Sequence, residues 1–216
     1  MTRSIDSLPR EFYSRTPTSV AKDLIGKKFV RTLSDKTKLE GMIVETEAYG
    51  GTGDPASHAF RGPTPRNQVM FGEPGHLYVY FTYGFHYCAN IVTGSFPHEQ
   101  AGAVLLRGIE PTRGIEVMQS LRHTKEITNL ASGPGKICQA FSIDKTKNGL
   151  DIAKKNSEIR VGSQEINDLQ IATSERIGIG VGKDKLWRFC ASGSRFLSRS
   201  IGASGGSKRK VNLPRT

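Results

Sequence analysis

The sequence predicts a single mixed α+β domain, and three observations carry that expectation. At 216 residues the chain suits one domain with tails, since domains usually hold about 100–200 residues. Short segments of alternating polarity are interleaved with short helical stripes. No apolar run approaches the roughly 18 residues that a membrane helix needs. The opening MTRSIDSLPREFYSRT also lacks the apolar stretch of a signal peptide. Membrane and secreted classes are therefore disfavoured, and an intracellular chain is expected.

Residues 1–15 are polar and read as a flexible N-terminus, residues 16–197 as the domain, and residues 198–216 as a basic flexible tail. Thr16 then Pro17 gives an N-cap and a proline at the first helical position. Val20, Ala21, Leu24 and Ile25 share one face of that helix, and Gly26 stops it. Residues 28–33 and 39–49 read as strands joined by the polar turn Ser34-Asp35-Lys36. Residues 50–75 are too rich in Gly and Pro for a regular element, and so long a loop inside a domain is usually functional or disordered. Residues 76–81 and 85–92 alternate around Thr82-Tyr83-Gly84 as a hairpin would. A strand at 103–109, a helical stripe of Ile115, Met118 and Leu121, and a helix opened by Gly133-Pro134 come next. Pieces at 169–172, 177–181 and 186–191 read as strands. From Arg195 onward every charge is basic.

The cysteines Cys88, Cys138 and Cys190 are odd in number and far apart, with no CxxC, so neither a disulfide framework nor a structural zinc site is expected. The net charge of +11 points to a polyanion, and nucleic acid is the commonest one in a reducing compartment. An ordinary basic protein is the plainer alternative.

Chemistry concentrates in two places. With period two, Ile43, Glu45, Glu47 and Tyr49 share one strand face that runs into the Gly/Pro-rich loop. Like charges on a strand are ordinarily solvated surface, but a carboxylate at a strand end beside a long loop is well placed as a rigidly held general base. The hairpin carries Tyr78, Tyr80, Phe81, Tyr83, Phe85 and Tyr87. Much of this packs a core, but Tyr83 at the tip suits a wedge that enters a duplex and fills the gap left by an extruded nucleotide. Tyr78 and Tyr80, on the opposite face, could offer a π-surface for a purine.

Other signals are set aside. Gly178 to Lys183 fails the phosphate-loop pattern, because Ile177 stands where its first glycine belongs and Asp184 comes after the lysine. Gly133-Pro134-Gly135-Lys136 before a helix could meet a phosphate. A zinc site from Glu47, His58 and Cys88 can be drawn, but no spacing requires it.

The ordered set Val44-Glu45-Thr46-Glu47-Ala48-Tyr49, Asp54, His58, Thr64-Pro65-Arg66-Asn67 and Met70-Phe71 is succeeded by Pro74-Gly75, Leu77-Tyr78-Val79-Tyr80, Tyr83-Gly84, Cys88 and Asn90. Val104-Leu105-Leu106-Arg107, Glu110-Pro111, Ser132-Gly133-Pro134, Lys136 and Cys138-Gln139-Ala140 complete it. Over about residues 15–197 this resembles the alkyladenine (3-methyladenine, or methylpurine) DNA glycosylase family. The resemblance implies a curved antiparallel sheet forming an open barrel-like roll, with flanking helices and a protruding, DNA-intercalating hairpin.

For the site, the resemblance implies Glu47 as the carboxylate that deprotonates the attacking water and Arg107 beside that water and the target phosphate. Tyr49, His58 and Tyr80 would sandwich the flipped base, and the backbone near Ala56 and His58 would read its edge. Asn90 would exclude guanine's 2-amino group, Ile177 would supply a backbone contact, and Tyr83 would intercalate. Arg66 and Lys136 are candidate contacts to the DNA backbone. No metal or cofactor is implied. The implied partner is double-stranded DNA containing damaged purines (3-methyladenine, 7-methylguanine, hypoxanthine, ethenoadenine), approached from the minor groove by a monomer, with no membrane involved. A non-catalytic damaged-DNA-binding module is the alternative. The segment 93–100 and the basic tail depart from the family pattern, and Glu45 is left open as an aid to leaving-group protonation.

Overall fold

The computed structural model describes residues 6–94, 101–163 and 169–201. In chain order it contains α1 (Arg10–Tyr13), α2 (Pro17–Leu24), β1 (Lys28–Thr32), β2 (Lys38–Tyr49), β3 (Leu77–Thr82), β4 (His86–Thr93) and β5 (Gly102–Arg113). Then come α3 (Ile115–Arg122), α4 (Pro134–Ala140), β6 (Ile159–Gly162), β7 (Ile171–Ser174) and β8 (Arg188–Ala191). Every strand pair is antiparallel, in the order β3-β4-β5-β2-β1-β6. β2 is the spine. β5 runs along one edge of it from Glu40 to Tyr49, while the other edge is shared by β1 along its first half and β8 beside Glu45–Glu47. Register shifts around Glu45 bend β2, because a bulge adds local twist, and the sheet curls into an open, barrel-like roll.

One large core lies against this sheet, with Leu24, Phe29, Ile43, Leu106, Ile109 and Phe141 fully buried. Thr16 caps α2 by accepting from the Ser19 N–H, Pro17 comes next, and Val20, Ala21 and Leu24 are its buried residues, as the pattern predicts. Thr46 Oγ1 donates to Ala21 O at 2.8 Å, fixing α2 over β2. Among the described residues no helix is long and apolar enough to cross a membrane.

Four expectations change. Residues 7–15 are not a flexible arm: Leu8 N–H bonds Val161 O at 2.7 Å, and Tyr13 of α1 is fully buried. The apolar side chains of that segment are what the polar composition concealed. Residues 50–75 are knitted by turns and a 3-10 helix at Gln68–Phe71, with Asn67 Nδ2 donating to His58 O (2.7 Å) and Gly62 O (3.1 Å). Residues 177–181 form an irregular loop rather than a strand, since Gly178 sits at φ +77°, outside the extended range that a strand needs. The domain does not end at 197, because Ser198 is bound to Glu45. Residues 95–100 of the departing segment and 202–216 of the basic tail lie outside the described residues.

Candidate active site

Strand β2 delivers two carboxylates, Glu45 and Glu47, and both are completely buried rather than solvated. Their environments differ. Glu47 Oε1 accepts the Ile177 N–H at 2.7 Å. Its Oε2 accepts the Tyr49 hydroxyl at 2.8 Å and Arg107 NH1 at 3.4 Å. Burial nevertheless raises the Glu47 pKa above its ordinary value, and Arg107, the Ile177 amide and Tyr49 only partly offset it. Glu47 is thus a carboxylate with enhanced affinity for a proton, held in fixed orientation.

Glu45 is tied down throughout. Its Oε1 accepts Arg188 Nε (2.7 Å), the Ser198 hydroxyl (2.7 Å) and Arg107 Nε (3.3 Å), while Oε2 accepts the Ser198 N–H at 2.5 Å. A carboxylate whose oxygens already accept from two arginines, a hydroxyl and a backbone amide is an anchor. Its partner Arg107 is itself only 8% exposed and bridges both carboxylates.

Beside Glu47 opens a cavity of about 500 Å³, walled by Tyr49, His58, Tyr80, Asn90, Arg107 and Ile177 among others, a size suited to a small planar ligand. His58 and Tyr80 meet edge to face with centroids 4.6 Å apart, and Tyr78 lies 5.3 Å from Tyr80. Burial, with Arg66 nearby, lowers the His58 pKa, so its imidazole is neutral near pH 7. His58 Nδ1 lies 2.9 Å from the Tyr78 hydroxyl, which fixes the ring. Asn90 is buried, and its Nδ2 donates to Tyr78 O across the β3–β4 ladder. Ala56 also lines the cavity, but its N–H is engaged by Asp54 Oδ1 at 3.3 Å, so that amide is not available to a base edge. Among the described residues no Asp or Glu lines the cavity, and no cluster of His, Cys, Asp and Glu suited to a metal occurs.

The hairpin carries Tyr83 at its tip, 81% exposed, with φ +52°, and Gly84 after it at φ +76°. Two consecutive residues at positive φ are what a tight primed hairpin turn demands. Phe85 is also exposed. Arg66 lies over the Tyr80 ring at 5.2 Å and donates to Phe81 O. Lys136 is a poorer candidate for DNA than expected. Although it borders the cavity, its ammonium is engaged by Asn129 Oδ1 and Ser132 Oγ.

Sequence reasoning missed Arg176, Arg188 and Ser198. Arg176 forms a buried two-pronged pair with Asp54 at 2.6 and 2.8 Å. Arg188 and Ser198 complete the shell of Glu45 from residues more than 140 positions away in sequence. Buried arginines were the available signal, but only the curl of the sheet shows which carboxylates they serve.

A family model described as methylpurine-DNA glycosylase (MPG) matches residues 11–195. Three curated relatives, provisionally named 3-methyladenine DNA glycosylase, match nearly end to end. The one from Carboxydothermus hydrogenoformans is 45% identical over 192 residues, covering 89% of this chain and 98% of its own. That from Chlorobium phaeovibrioides is 46% identical over 195 residues, covering 90% and 98%. The archaeal sequence from Methanoculleus marisnigri is 44% identical over 196 residues, covering 89% and 99%.

The two carboxylates should answer oppositely to neutralisation. Glu45→Gln leaves the buried Arg188 without a carboxylate, while Arg107 keeps Glu47, and should cost about 3 kcal/mol, the usual scale for a broken buried pair. Glu47 has a folded pKa above its unfolded one, so its contribution to stability is present below the ordinary carboxylate range and lost as pH rises through the raised value. Glu47→Gln should therefore leave Tm unchanged or higher at neutral pH, and any gain should vanish in acid. Thermal unfolding of both variants across pH tests this. A larger loss for Glu47→Gln than for Glu45→Gln would refute the division of roles.

Proposed function

The chain belongs to the methylpurine-DNA glycosylase family, and from that premise we propose that it excises alkylated purines from duplex DNA, with water activated by Glu47. The observation that carries this reading is the environment of Glu47: a buried, oriented carboxylate of raised proton affinity, enclosed by three residues of the cavity wall. A carboxylate can accept about four hydrogen bonds, and Oε1 takes one, from the Ile177 N–H, so its remaining lone pair is the one that would accept from the attacking water.

Breaking a purine N-glycosidic bond develops positive charge on the sugar. A fixed carboxylate both stabilises that charge and takes the proton of the attacking water. Among the described residues no carboxylic acid lines the cavity and His58 is neutral, so in this reading the base departs without one beside it. That favours cationic purines such as 3-methyladenine and 7-methylguanine, which are already good leaving groups. Neutral hypoxanthine and ethenoadenine should leave more slowly. In this reading the base lies against His58 and Tyr80 with Tyr49 across from them, and Asn90 limits its shape.

Tyr83, exposed at the hairpin tip, fills the space vacated by the flipped nucleotide from the minor-groove side. The net charge of +11 suits a phosphate-tracking, intracellular monomer. Arg66 is the better placed of the two candidate backbone contacts.

Single-turnover base release from a duplex carrying one damaged purine, with EDTA present, tests the assignment. Glu47→Gln should bind the lesion duplex as wild type does and release base at least about 100-fold more slowly, the scale of a lost general base. Release at the wild-type rate would show that another group activates water. Methylated purines should be released faster than hypoxanthine. Tyr83→Ser should weaken lesion binding about tenfold, as for the loss of one stacked aromatic. Unchanged binding and release would remove the wedge role.

A further inference from the structure

Arg176 joins four stretches of chain at one buried guanidinium. It pairs with Asp54 at 2.6 and 2.8 Å, NH1 also donates to Ala48 O at 3.0 Å, and NH2 to Gly182 O at 3.3 Å. Its Cζ lies over two aromatic rings, 4.7 Å from the Tyr49 centroid and 5.2 Å from that of Trp187. Asp54 in turn accepts the N–H groups of Gly50 (2.9 Å) and Ala56 (3.3 Å). Burial opposes the charge on Asp54, but Arg176 and those amides outweigh it and hold the carboxyl below its usual range. The pair is therefore ionised, with both terminal nitrogens of the guanidinium engaged and its buried Nε without a partner among the described residues.

The guanidinium also anchors the chain that leaves Arg176. The adjacent residue, Ile177, donates the N–H that orients Glu47 Oε1. Beyond Ile177 the chain passes through Gly178, Gly180 and Gly182, which carry little stiffness of their own. Gly182 sits at φ +66°, and a Cβ there would come within 3.1 Å of Arg176 NH2. Glycine is needed where the loop closes onto the guanidinium, which gives the glycine-rich run a role that phosphate binding does not.

We propose that the Asp54–Arg176 clasp positions the catalytic carboxylate and the cavity wall together, with Arg176 setting the Ile177 N–H against Glu47 and the Tyr49 ring against the base. This rests on the reading of Glu47 as the general base. Arg176 and Asp54 touch neither DNA nor water in this role, so they are positioning residues. A buried ion pair is weak as a source of stability, since desolvation consumes much of its attraction. Its geometric consequence is larger, because a small misplacement of a catalytic group costs rate steeply.

The test is single-turnover release, across pH, of the purine that wild type releases fastest, together with affinity for the same lesion duplex. Arg176→Lys keeps a cation but cannot hold Asp54, Ala48 O and Gly182 O at once, and Asp54→Asn removes the matching charge. Each should slow release by about 10- to 100-fold and leave affinity within about threefold, too small to account for the lost rate. Each should also move the acid limb of the rate profile to higher pH, because Glu47 loses the amide that holds its pKa down. The other groups facing Glu47 are unchanged in these variants: Tyr49 and Glu45 on β2, Arg107 on β5, and Arg188 and Cys190 on β8.

Folded variants with wild-type rates and an unmoved limb would overturn the proposal. So would equal losses in rate and affinity with an unmoved limb, or failure of both variants to fold, which would leave the clasp a stability element alone. Glu47→Gln run alongside separates the two levels. If it still releases base, the general-base reading has failed, whatever the clasp variants do.

Discussion

Two carboxylates, Glu45 and Glu47, lie fully buried on the central strand with a single residue between them, and the rest of the site is arranged around their charge. Taking such groups out of water without partners costs several kcal/mol each, a large part of the roughly 5–15 kcal/mol that holds a whole domain folded. Compensation arrives from β5 through Arg107, from β8 through Arg188, and from the segment after β8 through Ser198. These elements meet because β2 is bulged at Glu45 and shares its far edge between β1 and β8. The curl of the sheet and the electrostatics of the site are one requirement seen from two sides.

The compensation is uneven, and in the proposed function that asymmetry separates anchor from reactive group. Glu45 is saturated by two guanidiniums, a hydroxyl and an amide. Glu47 receives an amide, a phenol and a longer contact from Arg107, and its proton affinity stays high. Arg107 therefore does two jobs, neutralising the anchor while biasing the reactive carboxylate. The cavity next to it combines aromatic faces and a neutral imidazole with the cationic side chains of Arg66, Arg107 and Lys136.

The secondary-structure elements were legible in the sequence because they depend on local pattern, and much of the wall because the ordered motifs resemble a known family. Thr16-Pro17 caps a helix wherever it occurs, the alternating aromatics around Tyr83-Gly84 make a hairpin, and Glu47, Tyr49, His58, Tyr80, Asn90, Arg107 and Ile177 do meet at one cavity edge or beneath it. Burial was not legible. A period-two reading of β2 expects one solvated face, and it fails where the strand bulges at Glu45 and residues 176–198 cover the carboxylates. Nor could pattern link Arg176 to Asp54, 122 positions apart, or show that the apparent strand at 177–181 is a glycine loop closing on a guanidinium. Those facts are set by long-range pairing, which a single sequence carries only implicitly.

The most direct test of the central claim is the pH dependence of single-turnover base release by the wild-type protein. A buried general base of raised proton affinity predicts a rate that climbs with pH on an acid limb whose midpoint lies above about 4.3, the usual value for a glutamate, and then levels off. That limb should be absent from the residual activity of Glu47→Gln. A midpoint at or below the ordinary carboxylate range, or a limb that persists unchanged in Glu47→Gln, would contradict the account and place the titrating group elsewhere.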